Sequence, residues 1–163
     1  MKDLENKFDE IYKANYPNVI RLCLGYVSGD KMLAKDMAQE VFIKVWQNLD
    51  SFRKESSIST WIYRITVNTC LTNLRNKKTV NVFNDLNYIE DSKQDSNEEN
   101  KDQKIKQLYN CINKLNKDNK AIILLELEGL PQKEIAEIMG LSHEAIRVRV
   151  HRIKNELTKC VKK

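Results

Sequence analysis

The sequence predicts an all-α chain, two small helical domains joined by a flexible acidic linker. Three observations predict it. Only four Gly and two Pro occur in 163 residues, too few for the closely spaced turns of a β-sandwich or barrel. Apolar residues recur three and four apart along most of the chain, the period of an amphipathic helix. The charge, finally, changes sign twice. Residues 1–80 carry 13 basic and 9 acidic side chains, residues 81–104 carry 3 and 7, and residues 105–163 carry 12 and 7. The length alone suits one ordinary domain or two small ones, and the alternation favours two.

The elements follow in chain order. Leu4, Phe8, Ile11 and Tyr12 mark a first helix, and Pro17 is expected to open a second that ends near Ser28 and Gly29. Asp30 is placed to cap a third helix running to about Asn48, with Ala34, Ala38, Val41, Phe42, Val45 and Leu49 turned inward. Its outward face holds Asp36, Glu40, Ile43 and Gln47, with Gln39 alongside. Ile43 is an isoleucine in the middle of a polar face. Singly exposed apolar residues are common, so physics alone leaves a partner surface there open.

After a loop over residues 50–57, a fourth helix is expected from about Ser59 to Lys78. Trp61, Arg64, Asn68, Thr72 and Arg75 share one sector of it. A Trp interleaved with Arg and Asn suits stacking on unpaired bases and holding their backbone; a Trp capping the core could occupy the same position. Residues 81–104 are Asn-rich and acidic, with few apolar groups after Ile89. Such a segment cannot bury enough surface to offset its ordering and is expected to be a flexible linker.

In the C-terminal part, Ile105, Leu108, Ile112 and Leu115 recur at helical spacing. Asp118 is the expected N-cap of a helix from Asn119 to Glu128, ended by Gly129; Pro131 starts a short helix from Gln132 to Met139. Gly140 to Ser142 forms a tight turn, and Ser142 caps a last helix from His143. This is a helix-turn-helix pattern. Small Ala136 lets two helices cross closely, Gly140 can take the positive φ of the turn, and Ile146 fills the space between them. On the last helix Ile146, Val150, Ile153, Leu157 and Cys160 form the core stripe. Glu144, Val148, His151, Arg152 and Asn155 lie opposite, flanked by Arg147 and Arg149. The chain has 21 Lys and only 7 Arg, yet three of those arginines fall here, which points to a use for the planar guanidinium fork. A recognition helix offers such a face to the DNA major groove. A solvated basic helix is the plainer alternative.

Other function classes find little support. There is no GxxxxGK, GxGxxG, GxSxG or HExxH. Cys23, Cys70, Cys111 and Cys160 are far apart, and His143 and His151 are the only histidines; a zinc site needs tighter pairs. The cysteines are expected to be ordinary helix-packing residues, and no metal, cofactor or catalytic group is expected. The longest wholly apolar run, Ala121 to Leu125, falls far short of the ~18 residues of a membrane span. With a charged, amphipathic N-terminus, the chain is expected to be soluble and cytoplasmic, without membrane insertion.

Two stretches resemble a known family. Asp36-Met-Ala-Gln-Glu-Val-Phe-Ile-Lys-Val-Trp46, then Phe52, then Ser59-Thr-Trp-Ile-Tyr-Arg-Ile65 with Asn68 and Arg75, resembles the promoter-melting domain of bacterial sigma factors. Glu134-Ile-Ala-Glu-Ile-Met-Gly-Leu-Ser142, with Ile146, Arg149 and Arg152, resembles their C-terminal helix-turn-helix domain. Two such domains in this order resemble the small extracytoplasmic-function sigma factors. The resemblance implies a non-catalytic subunit that binds core RNA polymerase and directs it to promoter DNA, with an anti-sigma factor as a candidate inhibitor. It implies that Asp36, Gln39, Glu40 and Ile43 contact the polymerase clamp helices. Trp61, Arg64, Asn68 and Arg75 would open and read the downstream promoter element, with Lys54, Ser56 and Ser57 in a loop placed to hold a flipped base. His143, Glu144, Arg147, Val148, Arg149, His151 and Arg152 would serve the upstream element. The chain departs from the family's pattern at Ile58, Thr72, Asn116 and Val148. The competing reading is a stand-alone helix-turn-helix regulator with an N-terminal dimerisation or effector domain. Its dimer face should be broadly apolar, whereas Asp36, Glu40 and Gln47 here surround one isoleucine.

Overall fold

The computed structural model describes residues 2–54, 56–77 and 96–162, and every regular element among them is helical. Helices α1 (Lys2–Tyr26), α2 (Lys31–Asn48) and α3 (Ile58–Lys77) pack into an N-terminal bundle, with a short 3-10 turn at Leu49–Ser51. Helices α4 (Ser96–Asn113), α5 (Lys117–Leu127), α6 (Gln132–Met139) and α7 (His143–Val161) form a C-terminal bundle.

α1 corrects the expectation of two helices divided at Pro17. The proline sits inside one continuous helix, and its ring is exposed. Ile11, Asn15, Val19, Leu22, Cys23 and Tyr26 are all buried along it, a stripe that stays in helical phase across the proline. Tertiary packing therefore overrides the break that a missing N–H would otherwise favour. Buried Asn15 adds to it, donating its amide to the Ile11 carbonyl (2.8 Å) and accepting from the Ser59 hydroxyl (3.0 Å).

The caps of α2 and α3 follow side-chain chemistry. The Asp30 carboxylate accepts from the Leu33 amide (3.2 Å), as expected, and all six inward residues named for this helix are buried. The Ser57 hydroxyl accepts from the Thr60 amide (3.1 Å), which starts α3 at Ile58.

In the C-terminal bundle α4 begins at Ser96, inside the stretch expected as linker; residues 81–95 of that stretch lie outside the described residues. Residues 100–107 are all exposed, so this part of α4 rests on intrahelical bonds rather than on a core. α5 also starts earlier than expected. Its N-cap is Asn116, which accepts from the Asn119 amide (2.8 Å), and Asp118 lies in the first turn instead. Both residue types cap well, and sequence alone does not separate them. The turn between α6 and α7 is as expected. Gly140 is left-handed (φ 70°), the Ser142 hydroxyl accepts from the Ala145 amide (3.1 Å), and Ala136 and Ile146 are buried at the crossing.

The bundles meet where α1 packs on α5 and α3 on α6. Arg21 pairs with Glu128 (3.2 Å), Lys120 donates to the Tyr26 carbonyl (3.2 Å), and Asn113 donates to the Ser28 hydroxyl (2.6 Å). Buried Gly25 faces Leu124 so closely that a Cβ would stand 2.6 Å from its Cδ2.

One further expectation is corrected. Cys111 and Cys160 are not plain packing residues: a disulfide joins α4 to α7 through them, with the Cα atoms 5.9 Å apart. Cys23 and Cys70 remain free and buried, their sulfurs 3.8 Å apart.

Candidate functional site

Three exposed surfaces carry the residues that the sequence singles out. The first is the outer side of α2. Asp36, Gln39 and Ile43 are exposed, Ile43 by 51%. Glu40 is half-buried and tied down, accepting from the Asn73 amide (2.8 Å) on α3 and lying 3.7 Å from Lys44. Beside Ile43 lies a groove of about 580 Å³ between α1 and α2, lined chiefly by Phe8, Tyr12, Tyr16, Phe42, Ile43 and Trp46. Tyr12 and Trp46 are exposed within a set of contacting rings. Sequence reasoning missed this shelf. The signal was present in the spacing of Phe8, Tyr12 and Tyr16, four residues apart on one helix face.

The second surface runs along α3 and the loop before it. Arg64, Asn68, Thr72 and Arg75 are exposed along one side. Trp61 is half-buried and lies against Phe52, ring centroids 4.9 Å apart, so one side of the indole is already covered. The Arg64 guanidinium donates to the Glu137 carbonyl of α6 (2.9 Å). In the loop, Lys54 is exposed and left-handed (φ 57°), a conformation that costs a non-glycine residue. Ser56 is half-buried and Ser57 exposed. The Ser57 hydroxyl is committed, because it caps α3 and donates to the Thr60 hydroxyl (2.9 Å).

The third surface is the outer face of α7. His143, Glu144, Arg147, Val148, His151 and Arg152 are exposed, while Ile146, Val150, Ile153 and Leu157 are buried behind them. Arg149 differs from its partners in being half-buried. It shares with Arg152 a cleft of about 410 Å³ against the start of α5, also lined by Asn116, Asp118 and Glu156. Arg147 lies 3.9 Å from Glu144; so exposed a pair contributes little and leaves both groups available.

Behind these surfaces the junction of the bundles perturbs several groups. Burial lowers the Lys120 ammonium below its ordinary value and raises the Glu128 carboxyl, against the opposing pull of Arg21. Burial also pushes the Tyr63 phenol up to about 12. No group of three or more His, Cys, Asp or Glu among the described residues could hold a metal ion. No described helix is long and apolar enough to cross a membrane.

Comparisons with known proteins agree with this layout. Residues 11–80 match the family described as sigma-70 region 2, and residues 105–157 match sigma-70, region 4. The chain is 33% identical over 163 residues to the ECF RNA polymerase sigma-E factor of Haemophilus influenzae, covering 91% of this chain and 84% of that protein. It is 28% identical over 155 residues to the RNA polymerase sigma factor SigZ of Bacillus subtilis, covering 95% and 85%. Its fold is similar to that of the sigma factor RpoE in its complex with the anti-sigma factor NepR from Bartonella quintana. There the TM-score is 0.69 at 22% identity, over 96% of this chain and 97% of the other.

Proposed function

We propose a division of labour among these surfaces from one premise: the chain belongs to the extracytoplasmic-function sigma factors of the sigma-70 family. It is an RNA polymerase sigma factor, which binds the core enzyme and directs promoter recognition, DNA opening and initiation. Core polymerase and promoter DNA are its partners. The stand-alone regulator reading is not favoured, since the N-terminal bundle matches sigma-70 region 2 rather than a dimerisation domain.

In this proposal residues 1–80 hold the polymerase and open DNA, and residues 105–163 read the upstream element. Asp36, Gln39, Glu40 and Ile43 form the polymerase contact. The observation that supports it best is Ile43, an apolar side chain 51% exposed at the rim of an aromatic groove, because apolar surface of this kind gains most from a partner. Glu40 acts partly by proxy, since Asn73 already holds its carboxylate.

Trp61, Arg64, Asn68 and Arg75 take the downstream element, with Lys54, Ser56 and Ser57 forming the pocket for an extruded base. Arg64 must first exchange the Glu137 carbonyl for DNA. On α7, Glu144 and Val148 meet base edges, Arg152 meets a groove edge or its lining phosphates, and Arg147 and Arg149 hold the phosphate strands on either side, with His143 and His151 on the same DNA-facing helix. The sigma factor works without catalytic chemistry of its own, and an anti-sigma protein is its proposed inhibitor.

The test is binding of core polymerase to Asp36→Lys and Ile43→Asp. Both sites are exposed, so helicity and thermal midpoint should change little while affinity for core falls at least tenfold. Unaltered core binding in both variants would overturn the assignment.

A further inference from the structure

The four cysteines are gathered into two pairs that the proposed function does not use, one in each bundle. The pairs differ in access to solvent. Cys23 and Cys70 are fully buried. Hydrogen bonding to Cys23, then burial, push the Cys70 thiol far above its ordinary value. Such a thiol supplies almost no thiolate, which is the reactive form. Cys111 is also buried, but Cys160 is half-exposed in the last turn of α7. Their Cα atoms stand 5.9 Å apart, inside the range that a disulfide spans without backbone movement.

We infer that Cys111 and Cys160 are a reversible dithiol, an oxidation site for small-molecule disulfides at the junction of the two bundles. Their place in the fold gives the site consequence. The exposed first part of α4 rests on no core, and its last turns carry Leu108, Cys111 and Ile112 inward, followed by Leu115 just past the helix end. That same end meets the N-terminal bundle, where Asn113 donates to Ser28 and Tyr109 lies beside Gly29. The bond therefore fixes the segment by which the chain enters the C-terminal bundle, and it fixes it to the far end of the recognition helix. The outer face of α7 is left open, so oxidation firms the fold without covering the DNA-facing side chains.

The chemistry balances with a disulfide of the form R–S–S–R as oxidant. Half-exposed Cys160 gives its proton to solvent and attacks one sulfur, forming a mixed disulfide and releasing R–S⁻. Cys111 then loses its proton to solvent and attacks the Cys160 sulfur, closing the ring and releasing the second R–S⁻. The two cysteine sulfurs lose two electrons and R–S–S–R gains them; the two protons end on two R–SH. In a compartment that keeps thiols reduced the pair rests open, and a rise in R–S–S–R closes it.

The test uses the full chain equilibrated across ratios of reduced to oxidised glutathione, then denatured, alkylated and weighed intact. Moving toward oxidised glutathione should convert a species with four alkylated cysteines into one with two, and dithiothreitol should reverse the change. Proteolytic mapping should place the bond between Cys111 and Cys160. Cys160→Ser and Cys111→Ser should each abolish the doubly protected species while retaining helicity. The oxidised wild type should melt roughly 10 °C above the reduced form, and the two should bind upstream-element DNA within about threefold of each other. Four alkylated cysteines at every ratio, a bond mapped to Cys23 and Cys70, or links formed only between chains would overturn the inference. So would a loss of DNA binding on oxidation. The thiol count does not depend on polymerase or promoter, so its failure is distinct from failure of the proposed function.

Discussion

Replacing Gly25 with alanine adds one methyl group to α1 where the C-terminal bundle rests on it. Two effects of opposite sign follow. Gly25 lies near the end of a helix and lacks a positive φ, so alanine should gain roughly 0.5–1 kcal/mol from lost unfolded-state freedom. The new Cβ would stand 2.6 Å from Leu124 Cδ2 and 3.5 Å from its Cδ1 and Cγ, against an ordinary carbon contact of about 3.5–4.0 Å. Leu124 must therefore move by about 1 Å, and it is buried to 5% exposure. Overpacking of that kind costs about 1–3 kcal/mol. With the bundles docked, overpacking offsets or outweighs the helical gain, and the variant should lose up to about 2.5 kcal/mol of stability. If they are apart in solution, only the helical gain remains and the sign reverses. Leu124→Ala removes the obstacle, at about 2–5 kcal/mol of its own. In that background Gly25→Ala should turn neutral or stabilising, a coupling of about 1–2 kcal/mol. Urea denaturation of the four proteins by circular dichroism measures it, with equal m-values as the check on two-state behaviour. Additivity within about 0.5 kcal/mol would refute a close contact between Gly25 and Leu124.

Three other expectations follow from particular contacts. Burial raises the Glu128 carboxyl above its ordinary 4.5, so its contribution to stability is full below about pH 4.5 and is lost as pH rises through the raised value. Glu128→Gln should therefore compare worst with wild type at low pH and improve just above that window, and thermal midpoints from about pH 4 to 7 would expose the opposite trend. Trp61→Ala should cost about 1–3 kcal/mol in open-complex formation if a base stacks on the uncovered side of the indole. A pre-melted template should recover part of that loss, whereas equal defects on duplex and bubble would assign the side chain to packing on Phe52. Glu144→Ala should change the preferred upstream sequence, and Arg147→Ala should weaken all sequences alike and lower the salt slope by about one; site selection on both variants reverses the assignment if the two effects are exchanged.

Local rules made much of the fold legible. The caps at Asp30 and Ser142, the left-handed Gly140 and the inward stripes of α2 and α7 all depend on residues within one or two turns of each other. Pro17 shows where such rules stop. A proline reads as a boundary, yet the buried stripe from Ile11 to Tyr26 keeps one phase across it, and that continuity outweighs one missing donor. α4 shows the converse. Its first turns are too polar to be counted as core-forming, and residues 100–107 are exposed, but a helix needs no core contact at every turn when its end is anchored. The α7 wheel likewise separated core from surface and put Arg149 on the flank, but the cleft it shares with the start of α5 lies outside what a wheel contains.

What single-chain periodicity could not supply was pairing across the bundles. Arg21 and Glu128 are separated by 107 residues, and Arg64 and Glu137 by 73; nothing local to either member names the other. Gly25 belongs with these pairs. A glycine near the end of a helix is ordinarily a helix stop, and only the folded chain shows that this one lacks a positive φ and faces Leu124. The cysteines obey the same logic. Their wide spacing argues against a metal site, but spacing along the chain says nothing about which helices bring two of them together. Cys111 and Cys160 meet because α4 and α7 pack side by side, with Ile112, Ile153 and Leu157 buried on those two helices.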